Sequence, residues 1–345
     1  FRVRPARGAL PFPRLGVRLG PALASLRRKI EGAHDLRSVV STMKAMAAAS
    51  IGQYERSTRA LDDYYRAVQL GLSVCFRTGT ISPPVSPLSP VAGEKINREN
   101  DVIGAVLFGS DQGLVGQFNE VMADYAIQTL AALPGKIRVW VMGERLHDRL
   151  ADMSAHMDLQ VAGLFTVPLS VKAITPLVGR ILMETLMSSG GASLTPSLRK
   201  GEARPTGRNQ NGVRQLYLFY NSSRSGAIYA PAHQRLLPLD DAWRSELAQI
   251  PWPTNKLPEV MGNGEATLHA LIREYLFVSL FRACAESLVS ENASRLAAME
   301  RAEKNIDQLS ADLRQTFHRL RQSKIDEELF DVIAGVEALA GRISS

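Results

Sequence analysis

Leu296-Ala-Ala-Met299-Glu-Arg-Ala-Glu-Lys-Asn-Ile306-Asp-Gln-Leu309-Ser-Ala-Asp-Leu313-Arg-Gln-Thr-Phe317-His-Arg-Leu320 is the stretch on which the fold turns. Its apolar side chains follow one another by three, four or seven positions, which puts them on one helical stripe with charges between. No proline interrupts the chain from Glu265 to about Ile343, so one helix of more than about 100 Å is expected, at about 1.5 Å per residue. The other end reads the same way. From Ser25 to Val74 proline is again missing, and Ile30, Ala33, Val40, Ala47, Tyr54, Leu61, Val68 and Leu72 keep helical spacing over roughly 75 Å. Two such helices flanking one compact insert leave and re-enter the same domain face. They are expected to run antiparallel and to bury their stripes on each other. The terminal helix is the longer by about twenty residues, an excess that projects alone or finds another partner.

Between the helices the pattern changes to an α/β unit. Strands are expected at Val102 to Phe108, Ile137 to Met142, Leu159 to Phe165 and Val213 to Tyr220, and helices at Asn119 to Leu133, Glu144 to Met153 and Pro168 to Ser188. The expected fold is thus α/β: a long antiparallel coiled coil of the terminal helices plus a central Rossmann-like domain. Its divisions are a leader without fixed structure at 1–24, the first helix at 25–75, a linker at 76–100 and the α/β domain at 101–230. An irregular connection at 231–264, with room for one strand around Arg235 to Leu239, leads to the terminal helix at 265–345. The leader carries Arg2, Arg4, Arg7, Arg14 and Arg18. Pro5, Pro11, Pro13 and Pro21, with the glycines among them, oppose the amphipathic helix that a transit peptide needs.

Composition narrows the function classes. The 345 residues are 45% apolar and 22% charged but only 6% aromatic, which argues against large stacking platforms. A net charge of +7 suits an acidic partner but is too diffuse to demonstrate nucleic-acid binding. Two cysteines without a CxxC partner exclude a disulfide framework, and six scattered histidines lack metal-ligand spacing. No apolar run is long enough to span a membrane. Gly109, Gly113 and Gly116 after a strand invite a phosphate-loop reading, but neither GxGxxG nor Gly-Lys-Ser/Thr is present. Asp111 puts a negative charge where phosphate would sit, which favours a structural turn made by Gly109, Asp111, Gly113 and Gly116. Arg301, Lys304, Arg314, Arg319, Arg321 and Lys324 outnumber the acids of their helix; on helix physics alone they form a solvated face.

Longer motifs carry a family resemblance. Ser25-Leu-Arg-Arg-Lys-Ile30 followed by Thr42-Met-Lys-Ala-Met-Ala-Ala-Ala49 resembles the first helix of the gamma subunit of F-type ATP synthases. Tyr275-Leu-Phe-Val-Ser-Leu-Phe-Arg-Ala-Cys-Ala-Glu-Ser287, Ser290-Glu-Asn-Ala-Ser-Arg-Leu-Ala-Ala-Met299 and Ile325-Asp-Glu-Glu-Leu-Phe-Asp-Val-Ile-Ala-Gly335 resemble its terminal helix. Ser110-Asp-Gln-Gly-Leu-Val-Gly-Gln-Phe-Asn119 is similar to its middle-domain turn. Together they cover about residues 22 to 343. The family has Ile-Thr where this chain has Ile325-Asp326, and Gly-Ala where it has Gly335-Val336. Those departures suggest a divergent branch such as the alternate pumps called N-ATPases.

The resemblance implies a non-catalytic rotor shaft on the cytoplasmic face of a bacterial inner membrane. It implies alpha and beta subunits of the catalytic head, an epsilon subunit and a proteolipid c ring as partners, with no cofactor and no nucleic acid. It also gives Arg321 and Gln322 acidic loops of the catalytic subunits to meet, and places Met43 at the same collar. The rivals from other classes are a nucleotide-binding α/β enzyme using Ser110 to Gly116 and a basic coiled-coil nucleic-acid binder.

Overall fold

The computed structural model describes residues 21–77, 102–153, 159–187, 213–224, 227–259 and 264–343. In order these form α1 (Pro21–Arg77), β1 (Val102–Phe108), α2 (Phe118–Ala131), β2 (Lys136–Met142), α3 (Glu144–Met153) and β3 (Leu159–Phe165). They continue as α4 (Val171–Met187), β4 (Val213–Arg224), β5 (Ala227–Leu237), α5 (Asp241–Ala248) and α6 (Gly264–Ile343). The chain divides into two compact units: the ends up to Thr42 and from Arg301 form one, and Met43–Glu300 the other.

α1 is helical from Pro21, the first described residue. Residues 21–24, expected to belong to the leader, are therefore helix. Residues 1–20, the proline-rich segment 78–93 and the glycine-rich stretch 189–210 lie outside the described residues. Along α1 the positions Ala33, Val40, Ala47, Tyr54, Leu61, Val68 and Cys75 recur every seven residues, and each is buried or half-buried. A repeat of seven keeps one seam turned toward a partner helix.

That partner is α6. In the smaller unit Arg37 Nε donates to Asp307 Oδ1 at 2.6 Å. In the larger one Arg282 pairs with Asp62 at 3.6 Å, the rings of Tyr65 and Tyr275 stack at 5.7 Å, and Tyr64 Oη donates to Glu274. Gly71 meets Leu271 closely enough that a Cβ would lie 3.1 Å from its Cδ2. In the larger unit partner numbers fall as residue numbers rise, so the helices run antiparallel there.

The sheet has the order β3-β2-β1-β4-β5. β1 pairs parallel with β2 and β4, β2 parallel with β3, and β5 joins β4 antiparallel. Val102, Val106, Phe108, Trp140, Met142, Leu216 and Leu218 point to one face, where α1, α4 and α6 cover them. Ile103, Ala105, Leu107, Val139, Val141, Tyr217 and Phe219 point to the other, covered by α2 and α3. Burial on both faces explains why Val102–Phe108 is an uninterrupted apolar run. Cys284 sits in the first layer, its Sγ 3.9 Å from Met142 Sδ, and Cys75 is buried in the same layer, so both thiols pack as small apolar groups.

The connection at 231–264 differs from its sequence reading. β5 runs to Leu237, and α5 follows with Asp240 as its cap, accepting a hydrogen bond from Trp243 N at 3.0 Å. Pro231 argues against a strand, but β5 is an edge strand, where proline loses no ladder donor if its nitrogen faces outward. The α/β domain thus extends beyond residue 230.

Leu72 has no exposed surface, whereas Leu329 is 56% exposed. Leu72→Ala is expected to cost about 2–5 kcal/mol by chemical denaturation, and Leu329→Ala to stay within about 0.5 kcal/mol.

Candidate functional site

The turn after β1 is held by its own side chains. Gly109 N donates to Met142 O at 2.8 Å, and a Cβ on Gly109 would lie 2.3 Å from that of Leu146. Asp111 accepts at Oδ1 from Glu144 N at 3.1 Å, the first residue of α3, and at Oδ2 from Val167 N at 2.9 Å, just past β3. One carboxylate thus links the ends of three strands and satisfies an orphan N–H of a helix start. Ser110 N donates to Asn119 Oδ1 at 3.0 Å, Asn119 Nδ2 returns a bond to Ser110 Oγ at 2.9 Å, and that hydroxyl donates to Gln112 O. The amide a phosphate would seek at Ser110 is already occupied.

The glycines of this turn are not equivalent. Gly116 has φ 60, beside Leu114 at φ 64. Gly113 has ordinary φ and meets nothing within 4 Å, so its place does not demand glycine. Gly143 does demand it, with φ 104 and a Cβ that would fall 2.6 Å from Ser110 N. In the sequence a lone glycine after a strand carries no signal beyond closing β2.

α6 crosses the C-terminal ends of the strands. Between β1 and β4, where the strand order reverses, a domain of this topology opens the crevice that usually takes a ligand. Here three serines of α6 reach into that place. Ser290 Oγ donates to Asn221 O at 2.9 Å, Ser294 Oγ to Val115 O, and Ser287 Oγ to Phe108 O at 3.5 Å. Asn221 Nδ2 in turn donates to Phe118 O at 3.2 Å. Glu291, on the same helix, accepts from Arg295 at 2.6 Å, and both side chains are nearly enclosed. Burial pushes the Glu291 carboxyl above the ordinary carboxylate range, and Arg295 opposes that shift. The sequence motif that contains these residues gives them no role; their signal is serine at zero, three and seven along one helix face.

Met43 is half-buried on α1 in the larger unit. Arg321 and Gln322 are exposed on α6 in the smaller one, followed by the uncovered apolar residues Ile325, Leu329, Val332 and Val336 at steps of four, three and four. In the same unit a cleft of about 320 Å³ is walled by His34, Arg37, Asp307, Ser310, Ala311 and Arg314, a charged lining unlike the apolar walls of small-molecule sites. Among the described residues no group of three or more metal-ligating side chains occurs, and no helix is long and apolar enough to cross a membrane.

An α/β domain with its own terminal helix lying along the strand ends, packed with a second long helix, defines a class of proteins built of two long helices and one α/β domain. The family described as ATP synthase matches residues 22–339. An ATP synthase gamma chain of Sorangium cellulosum is 25% identical over 92% of this chain and 99% of its own length. One of Syntrophus aciditrophicus is likewise 25% identical, over 92% and 99%. In fold, the chain is similar to one in a Euglena gracilis mitochondrial ATP synthase, with TM-score 0.54 and 18% identity over 94% of this chain and 96% of that one. The chain belongs to the ATP synthase gamma chain family, as a non-catalytic subunit of the central stalk.

Gly143→Ala is expected to lower stability by about 1–3 kcal/mol, the usual cost of a strained backbone. Gly113→Ala is expected to be neutral or to stabilise by up to about 1 kcal/mol, and urea titrations of the two variants separate these outcomes.

Proposed function

We propose that this chain turns as a rotor shaft within a head of alternating alpha and beta subunits. Its α/β domain bears on a proteolipid c ring and an epsilon subunit, at the cytoplasmic face of a bacterial inner membrane. The observation that carries the reading is the apolar stripe Ile325, Leu329, Val332 and Val336, exposed on a helix already paired elsewhere. A stripe of that kind marks a partner surface. The similar Euglena structure is that of an OSCP, F1 and c-ring assembly in one rotational state, which supports the same assembly for this chain. In this reading the turn at Gly109, Asp111, Gly113 and Gly116 is structural, and the shaft takes no cofactor.

Arg321 and Gln322, immediately before the stripe, meet acidic loops of the catalytic subunits, and Met43 faces the same collar. A shaft selects among catalytic-site states only through contacts that differ between them. Asp326 and Val336, where the family has Thr and Ala, support a place on a divergent branch such as the N-ATPases.

On a solvated face Arg321→Ala changes stability by less than about 0.5 kcal/mol, while in a partly desolvated acidic collar it loses about 2 kcal/mol or more. The double variant Arg321→Ala, Gln322→Ala is therefore expected to assemble, to stay helical by circular dichroism, and to lose several-fold in ATP turnover or ATP-driven pumping. Parent-like turnover and pumping in the assembled complex removes these residues from the collar.

A further inference from the structure

A rotor must pass torque between its α/β domain and the helix that leaves it. Most of that joint is apolar: Leu276, Leu280, Cys284 and Leu288 of α6 pack on the sheet face with Val106, Phe108 and Met142. Apolar burial has little directional preference, so it resists separation of helix and sheet better than it resists rotation of one upon the other. Hydrogen bonds are directional and weaken steeply as the angle opens. At the strand ends, serines of α6 supply such directional ties.

Ser290 and Ser294 hold carbonyls on two different elements, Asn221 of β4 and Val115 of the turn before α2, while the longer bond from Ser287 reaches Phe108 of β1. The three span about 10 Å of helix at about 1.5 Å per residue. All are buried, at 5% exposure or less. Serine is a poorer helix former than alanine, and alanine fills such a position at lower local cost. Three buried serines on one face therefore run against local preference, a pattern expected where a functional demand overrides it. The neighbouring Glu291–Arg295 pair adds buried polar groups to the same face.

We propose that Ser287, Ser290 and Ser294 are positioning residues that fix the angular register of α6 on the sheet and so carry torque across the joint. The inference rests on the rotor reading and deepens it. Ser290 and Ser294 carry most of the effect, because the Ser287 bond is long.

The test uses the assembled complex, with its head fixed to a surface and a bead on α2. Angular fluctuation without nucleotide gives torsional stiffness, and rotation under ATP is followed against viscous load. The double variant Ser290→Ala, Ser294→Ala is expected to lower stiffness by about two-fold or more, since two buried carbonyls lose their ties. It is also expected to slow rotation at high load while leaving it unchanged at low load. Ser290→Thr with Ser294→Thr, which keeps both hydroxyls, restores the parent values. Parent stiffness and load dependence in the alanine variant overturn the proposal, as does a threonine variant no stiffer than alanine. If the double alanine variant does not assemble, Ser290→Ala alone is measured, and unchanged stiffness there overturns it equally. A parent complex that assembles but does not rotate overturns the rotor reading instead, which separates the two failures.

Discussion

The structure depends on the passage of α6 across the ends of the parallel strands. That helix contributes Leu276, Leu280, Cys284 and Leu288 to the sheet's first core layer and then lays Ser287, Ser290 and Ser294 along its rim. Each serine hydroxyl donates to a backbone carbonyl of the domain. A topology that elsewhere opens a binding crevice is in this chain closed by its own terminal helix. The same burial that stabilises the domain seats α6 on the strand ends.

Charge follows the same arrangement. Asp111 occupies the place of an anion in the turn and spends both oxygens on backbone donors of two other segments. Glu291 is buried beyond the ordinary tolerance of a carboxylate and is held there by Arg295. A buried ion pair is weak evidence for stability, and its best-attested use is to specify register. Farther along α6 the balance reverses. From Ile325 to Val336 polar and apolar side chains are both exposed, as on a surface awaiting a partner.

The terminal helices and the central strands were legible because their signals are local. Missing proline, apolar steps of three and four, and the run Val102–Phe108 needed no knowledge of distant residues. Only the end of β5 was legible, as a strand around Arg235 to Leu239; its first half was not, since Pro231 read as a breaker until the strand's place at the sheet edge was known. Gly113 looked as necessary as Gly116, and Gly143 looked ordinary, because the distinction lies in φ and in the approach of Ser110 from another segment. The serine ladder was hidden for the same reason. Ser294 and Val115 are 179 positions apart, and only the folded chain brings them together.

With α6 along the strand ends, the α/β domain acts as a body rather than as a nucleotide site. Calorimetric titration of ATP into the folded chain tests it most directly. No saturable heat is expected at millimolar nucleotide; saturable binding in the micromolar range, lost when Ser110 to Gly116 is altered, would make the domain a nucleotide site after all.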